Sequence, residues 1–233
     1  MKRKFWNWVR DADTGARTLV LNGEISESTW FGDEVTPGIF RDELCSCEGD
    51  ITVWINSPGG DCFAAAQIYN MLMNYKGNVK VRIDGLAASA ASVIAMAGNT
   101  VEMSPVAMLM IHNPATVSIG DEHEMKKAID MLSEVKESII NAYEIKTGMG
   151  RGKISNLMDA ESWMNAKKAV ELGFADSIMF ADDEKDDGTE IEAMMFSRAA
   201  VTNSFLSKFK TEKQSDNRID AESLNKRLFL IAH

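Results

Sequence analysis

Short apolar runs alternate with longer amphipathic stretches along the first 180 residues of the chain. The short runs are rich in β-branched and other apolar residues, and they predict strands at 18–22, 51–55, 79–83, 100–103, 107–111 and 177–180. Apolar residues spaced three and four positions apart predict helices at 33–45, 62–75, 87–97, 120–147 and 165–172. Because strands and helices alternate, the pattern favours an α/β domain with a largely parallel sheet.

The pattern changes after residue 180, where the chain becomes strongly acidic. Residues 182–192 contain seven carboxylates and one lysine, which is typical of a solvated linker. Apolar residues are only scattered through 193–233. We therefore predict an N-terminal segment over 1–17, a main domain over 18–180, and an acidic linker with a partly disordered C-terminal extension over 181–233.

Composition and charge narrow the classes of function. The 233 residues are 45% hydrophobic and 26% charged, which is enough for an ordinary buried core. The net charge of -10 argues against a nucleic-acid partner, because such proteins need a basic face. No apolar run is long enough to span a bilayer, and the basic residues at 2–4 precede no signal-peptide core. We expect a soluble cytoplasmic protein with no membrane partner.

The cysteine pattern and the lack of a phosphate-binding motif indicate which cofactors to expect. Cys45, Cys47 and Cys62 are an odd number without a disulfide-like framework, which suits a reducing compartment. Cys45 and Cys47 have no nearby histidine and make a poor zinc site. The sequence also contains no GxxxxGK[ST] phosphate-binding motif. We expect no metal, no other cofactor, and no ATP hydrolysis by this chain.

The segment GLAASAAS, from Gly85 to Ser92, contains the first candidate for chemistry. A predicted strand ends, a turn follows, and a helix begins at or near Ser89. Small neighbours leave room for a substrate backbone, and amides at a helix N-terminus favour a developing oxyanion. The setting suits a nucleophile, although a small-residue helix packed tightly on a sheet would give the same pattern.

Two further candidates follow predicted strands. Gly59 and Gly60 lie between a strand and a helix, where glycine lets the backbone approach a ligand and present its amides. His112 ends a strand and is the candidate base, because His123 lies in an acidic helix start and His233 is the terminal residue. Composition alone cannot select the orienting carboxylate from 35 acids.

Four segments occur in the order and spacing of the ClpP proteases, namely INSPGG (55–60), GLAASAAS (85–92), MIHNP (110–114) and ESWMNAKKAVELGFAD (161–176). The resemblance covers residues 18–180. The FWNWVRD start and the WFGDEVTP segment look closest to the ClpP-related head maturation proteases of tailed phages and prophages.

The resemblance implies a catalytic triad and an oxyanion hole. It places the nucleophile on Ser89 and the base on His112. The acid of the family is an aspartate at the position where this chain has Glu161, which is one methylene longer. Asp159, two residues upstream, is the alternative acid. The implied oxyanion donors are the backbone amides of Gly60 and Ala90.

The resemblance also implies a fold and an assembly. The family fold is a crotonase-like α/β core with a long handle helix, matched here by residues 120–147, that joins two heptameric rings. The implied partners are polypeptide substrates, further copies of this chain, and either an AAA+ unfoldase or phage capsid and scaffold proteins.

The implied function is a serine endopeptidase, in a ring-shaped compartment, that matures a phage or prophage capsid or scaffold. The alternatives are a housekeeping-like Clp proteolytic subunit and a catalytically silent assembly ring, which the departure at Glu161 keeps open. A Ser–Lys peptidase of the signal-peptide-peptidase type is disfavoured by the histidine in MIHNP. A crotonase-type acyl-CoA enzyme is disfavoured by Ser89.

Overall fold

The computed structural model describes residues 5–10, 16–26, 37–46 and 48–180. The strands in these ranges are β1 (Trp6–Arg10), β2 (Arg17–Asn22), β3 (Ile51–Ser57), β4 (Val79–Ala88), β5 (Thr100–Met103), β6 (Met108–Ile111), β7 (Ser162–Asn165) and β8 (Ser177–Ile178). The helices are α1 (Pro37–Cys45), α2 (Cys62–Met73), α3 (Ala90–Ala95), α4 (Glu122–Thr147), α5 (Arg151–Asp159) and α6 (Ala166–Glu171). The predicted linker and extension over 181–233, and the predicted helix start at 33–36, lie outside the described residues.

The strands form one mixed sheet. Its main path runs β1-β2-β3-β4-β5-β8, and every neighbouring pair after β2 is parallel. Strand β1 pairs antiparallel with β2, so residues 6–10 of the predicted N-terminal segment belong to the sheet. The sheet and the alternating helices agree with the α/β class predicted from the sequence.

Strand β4 changes its partner halfway along its length. Residues 80–83 pair with β5, whereas residues 86–88 pair with β6. Strand β6 then pairs antiparallel with β7. The sheet therefore divides beyond Ile83, and the ends of β4, β6 and β7 form a separate branch.

This division explains one error of the sequence analysis. A turn was predicted at Asp84 and Gly85, with a helix starting at residue 87, but the strand continues to Ala88. Hydrogen bonding to β6, a contact remote in sequence, keeps residues 86–88 extended. Helix α3 is consequently shorter than predicted and begins at Ala90.

The core lies where α2 and α3 cover the central strands. Alternate residues of these strands are at most 1% exposed, including Leu19, Leu21, Val53, Ile55 and Val81. All six residues of α3 (AASVIA) are buried, and the alanines and the serine among them let the helix pack closely. Burying one large aliphatic side chain contributes roughly 1.5–3 kcal/mol, so burial on this face stabilises the fold.

Helix α4 is the longest helix of the described part and is much less buried than α3. Asp121 caps its N-terminus through bonds to two backbone amides, and Gly148 ends it with a φ of 67°. Its buried residues are Ile140, Ala142 and Tyr143, all in the C-terminal half. The N-terminal half therefore extends away from the core of this chain.

Three elements were not predicted from the sequence. These are β1, α5 and β7, which lie at 6–10, 151–159 and 162–165. None of the helices in the described ranges combines the length and the apolar character that a membrane span requires.

Candidate active site

Ser89 lies where β4 ends and α3 begins. Its φ of 54° and ψ of -125° are unusual for a residue with a side chain. Such a conformation costs of order 1–3 kcal/mol and persists only where the surroundings enforce it. On one side, the Ser89 amide donates to the carbonyl of Met110 on β6 (2.9 Å). The resulting turn holds the Ser89 hydroxyl at the edge of the sheet.

His112 directly follows β6, the strand that pairs with the end of β4. Ala88 and Met110 are partners in this parallel pair, so the residues after them leave the sheet at the same edge. Nε2 of His112 is 2.7 Å from Oγ of Ser89. A neutral imidazole at this distance can accept the proton of the hydroxyl as it attacks an electrophile.

Glu161 lies in the turn between α5 and β7. Ile111 of β6 is opposite Ser162 of the antiparallel β7, and one further step in the same register brings Glu161 opposite His112. Glu161 is partly buried and has a φ of 48°. The structure therefore brings residue Glu161 to the same edge of the sheet as Ser89 and His112.

Asp159, the alternative acid, is engaged by other side chains. Its Oδ1 accepts hydrogen bonds from Nζ of Lys136 (2.7 Å) and Nδ2 of Asn113 (2.8 Å). These bonds, first the one from Lys136 and then the one from Asn113, lower the pKa of Asp159 below its ordinary value. Asp159 thus ties α5 to α4 and to the residue that follows His112.

Gly59 and Gly60 run beside the Ser89 turn. A Cβ atom on Gly59 would lie 2.7 Å from Cβ of Ser89 and 2.9 Å from the amide nitrogen of Ala90. A Cβ on Gly60 would lie 2.0 Å from the carbonyl oxygen of Ile25. Both positions also have positive φ values, 95° and 147°. Glycine is therefore required at Gly59 for the backbone to pass this close to Ser89, and at Gly60 for it to pass this close to Ile25.

The directions of two amides follow from this geometry. The Ile25 amide donates to the Gly59 carbonyl, and the Asp61 amide donates to the Ile25 carbonyl. Since the carbonyl and the amide of one trans peptide point in opposite directions, and the Gly59 carbonyl faces Ile25, the Gly60 amide faces away from Ile25. Ala90 opens α3, and first-turn amides have no acceptor within their helix. Both amides are available to a bound group.

Backbone strain in the described part of the chain concentrates at this edge of the sheet. Three residues other than glycine have positive φ, namely Ser89, Glu161 and Phe180. Strained residues tend to cluster at functional sites. Two of the three are the residues that the resemblance assigned as nucleophile and acid.

Ser57, in the INSPGG segment, has a structural role, and the cysteines belong to no metal cluster among the described residues. The buried Ser57 hydroxyl donates to the Gly23 carbonyl (2.5 Å) and accepts from the Gly59 amide (3.1 Å), so it shapes the glycine turn. Cys45 and Cys62 are free thiols, and Cys47 lies outside the described residues. No cluster of three or more potential metal ligands occurs in the part of the chain that the structure describes.

Two contributions to the site were missed by the sequence analysis. Gly59 was noted only as a flexible donor, whereas its contact with Ser89 makes it part of the site. Ser92 was not a candidate, yet its hydroxyl donates to the Ser89 carbonyl (2.6 Å). The only signals in the sequence are the doubled glycine and a hydroxyl three residues after the nucleophile.

Comparison with known proteins gives the family of the chain. The family model described as Clp protease matches residues 9–182. The ATP-dependent Clp protease proteolytic subunit 2 of Treponema denticola is 30% identical over 164 residues, which are 70% of this chain and 81% of that protein. The protein of the same name from Thermobifida fusca is 31% identical over 134 residues, or 57% of this chain and 66% of that protein. The chain therefore belongs to the Clp protease family and is a serine-type endopeptidase.

Proposed function

We propose that the chain hydrolyses peptide bonds through Ser89, His112 and Glu161. His112 Nε2 takes the proton of Ser89 Oγ as that oxygen bonds to the scissile carbonyl carbon. The carbonyl oxygen becomes an oxyanion, which the amides of Gly60 and Ala90 bind. The imidazolium then protonates the leaving amine as the C–N bond breaks. Water, deprotonated by the same imidazole, releases the acyl group from Ser89.

The observation that carries this proposal is the 2.7 Å contact between His112 Nε2 and Ser89 Oγ. It is made by a serine whose backbone is held in a strained turn beside two available amides. A silent assembly ring would have no need of this combination. The geometry therefore supports the active enzyme over the silent alternative.

Glu161 is the proposed orienting acid. The register of β6 and β7 brings it opposite His112, whereas Asp159 is hydrogen bonded to Lys136 and Asn113. A longer carboxylate can take this role because the role is defined by geometry. The strained turn at Glu161 is in keeping with a side chain that must reach a fixed position.

Labelling with a fluorophosphonate, followed by peptide mass spectrometry, tests the nucleophile. We expect the adduct on Ser89, because its hydroxyl contacts the imidazole of His112. The Ser57 and Ser92 hydroxyls bond to backbone carbonyls instead. Ser89→Ala should abolish labelling and lower kcat for a fluorogenic peptide by up to about 10⁶-fold. An adduct on Ser57 or Ser92, or full activity in Ser89→Ala, would show that the assignment is wrong.

We also propose that the chain works as a ring that encloses the serines, and the resemblance implies seven subunits. Support comes from α4, whose N-terminal half exposes Met125, Ile129 and Met131 at 38%, 62% and 41%. Apolar residues exposed along one helix favour a contact with another protein. The partner assigned by this proposal is a further copy of the chain.

The biological role is proposed at two levels. Both relatives are named as Clp proteolytic subunits, which supports a subunit that receives polypeptides from an ATP-driven partner. Head maturation in a phage or prophage rests on the sequence segments alone. The roles differ in substrate, so cleavage of a capsid or scaffold protein encoded beside this gene, without an unfoldase, would favour maturation.

A further inference from the structure

The Ser89 carbonyl is held by a buried chain of hydroxyl groups. Ser92 binds it twice, through its amide (2.9 Å) and through its Oγ (2.6 Å). Ser92 Oγ is also 2.8 Å from the hydroxyl of Tyr143 on α4. Ser92 and Tyr143 are 0% and 1% exposed, so water does not compete for these bonds.

The donor in each of these hydroxyl hydrogen bonds follows from the chemistry of the groups. A carbonyl oxygen only accepts, so Ser92 Oγ must donate its single proton to the Ser89 carbonyl. The Tyr143 hydroxyl is therefore the donor to Ser92 Oγ. Burial raises the pKa of Tyr143 well above its ordinary value, so the phenol keeps its proton throughout the neutral range. The Tyr143 hydroxyl thus donates to Ser92 Oγ, and Ser92 Oγ donates to the Ser89 carbonyl.

Tyr143 is itself fixed by the packing of α4. Its ring contacts Phe174 edge to face, with the ring centroids 5.5 Å apart. Its carbonyl accepts a hydrogen bond from Oγ1 of Thr147 (2.7 Å). The hydroxyl chain therefore connects a well-packed part of α4 to the turn at the site.

The peptide plane between Ser89 and Ala90 links these hydrogen bonds to the oxyanion hole. In a trans peptide the carbonyl of one residue and the amide of the next point in opposite directions within one plane. Ser92 fixes the direction of the Ser89 carbonyl, so it also fixes the Ala90 amide. That amide is one of the two proposed oxyanion donors.

We infer that Ser92 and Tyr143 are positioning residues that aim the Ala90 amide at the oxyanion and hold Ser89 in its strained turn. The inference rests on the proposed role of Ser89 and goes beyond it, because neither residue touches the substrate. Their effect should be confined to the transition state, since the oxyanion forms only there.

Kinetics of three variants test this inference. Removing a whole oxyanion donor lowers kcat by about 10²–10³, so misaligning one in Ser92→Ala should lower kcat about tenfold or more. KM should stay nearly unchanged. Tyr143→Phe leaves the Ser92 donor in place and should have a smaller effect of the same kind. The kcat of the double variant should be no lower than that of Ser92→Ala, because both residues act through the same series of hydrogen bonds.

A peptide aldehyde gives a readout that general destabilisation would not produce. It forms a hemiacetal whose oxygen occupies the oxyanion position, so its affinity should fall in parallel with kcat. Tyr75→Phe is the matched control, since the Tyr75 hydroxyl bonds to the Gly49 carbonyl at another place in the fold. It should leave kcat and aldehyde affinity unchanged.

The outcomes separate this inference from the proposed function. An inactive Ser89→Ala together with wild-type kcat in Ser92→Ala and Tyr143→Phe would overturn the positioning role alone. Activity in Ser89→Ala would overturn the function itself. If Ser92→Ala does not fold, Tyr143→Phe carries the test, because it keeps the ring. A lower melting temperature with unchanged kcat and aldehyde affinity in that variant would overturn the inference.

Discussion

At the scale of single residues, the site depends on backbone conformations that most side chains disfavour. Ser89 and Glu161 have positive φ, and Gly59 and Gly60 lie where a Cβ atom would meet neighbouring backbone or the side chain of Ser89. These conformations are held by hydrogen bonds from other elements, such as the bond from the Ser89 amide to Met110. The fold therefore supplies the precision of the site, and the side chains supply the reactive groups.

The acid can be identified with one pair of substitutions. Glu161→Gln keeps the size of the side chain but removes the charge that stabilises the imidazolium. An amide in this role can also favour the wrong imidazole tautomer, which costs up to about 10⁴ in kcat in a known protease. We expect a loss of several orders of magnitude in peptide hydrolysis, measured with the same fluorogenic peptide.

Asp159→Asn is the control for this substitution. An amide oxygen at residue 159 can still accept hydrogen bonds from Lys136 and Asn113, so activity should stay close to that of the wild type. The reverse pattern would assign the acid to Asp159. Full activity in both variants would leave Ser89 and His112 as a dyad, or require an acid from another subunit.

At the scale of elements, the sequence predicted those helices and strands that their own apolar pattern or capping residues define. The central strands and α2 carry clear apolar patterns, and Asp121 and Gly148 mark the ends of α4. Two of the missed elements depend on distant contacts. Strand β1 buries only Trp6 and is defined by pairing with β2, and β7 is a four-residue strand defined by β6. Helix α5 contains Gly152, which lowers helix propensity.

The candidate site was predictable to a similar extent. Ser89 and His112 each follow a strand in a recognisable motif, and the structure brings their side chains together. The position of Glu161 depends on the register of β6 and β7, which the sequence did not reveal. The hydroxyl chain through Ser92 and Tyr143 joins residues 51 positions apart, and no local pattern indicates such a contact.

Strands β4 and β5 are joined by a charged cluster whose contribution is measurable. Glu102 on β5 bonds to Lys80 (2.7 Å) and Arg82 (2.9 Å) on β4. Burial works to raise the pKa of Glu102, but the hydrogen bonds from Lys80 and Arg82 outweigh it and lower that pKa overall. Water reaches both cations, so Glu102→Gln should lower the free energy of unfolding by only about 0.5–1 kcal/mol.

The pH dependence of this effect has a definite sign. A carboxyl group with a lowered folded pKa stabilises the fold above its unfolded pKa and loses that effect as pH falls through the folded pKa. The difference between wild type and Glu102→Gln, from urea unfolding, should be full at pH 7 and shrink as pH falls below 4.5, the ordinary pKa. Glu171→Gln, at the exposed pair with Lys168, should show a smaller difference. A difference that grows towards acid would contradict the assignment.

At the scale of the whole molecule, the exposed half of α4 should govern assembly. We expect the wild-type chain to sediment as a high-mass oligomer at micromolar concentration. Ile129→Glu places a charge in the middle of the exposed apolar residues and should shift the mass towards smaller species. Val106→Glu, at a more exposed apolar residue outside α4, should not. A monomeric wild type, or an Ile129→Glu oligomer of unchanged mass, would contradict the proposed interface.

The cytoplasmic location stays a prediction from the sequence.

The order of the site residues along the chain has a consequence for biosynthesis. A ribosome releases the chain from its N-terminus, so β4 and β6 emerge before β7. A nascent polypeptide that ends within α4 contains Ser89 and His112 but lacks the strand that carries Glu161 into place. The proposed triad is therefore completed only when translation of the described domain is nearly finished. A shorter nascent chain lacks the proposed orienting acid, so we expect its Ser89 and His112 to hydrolyse peptides far more slowly than the finished domain does.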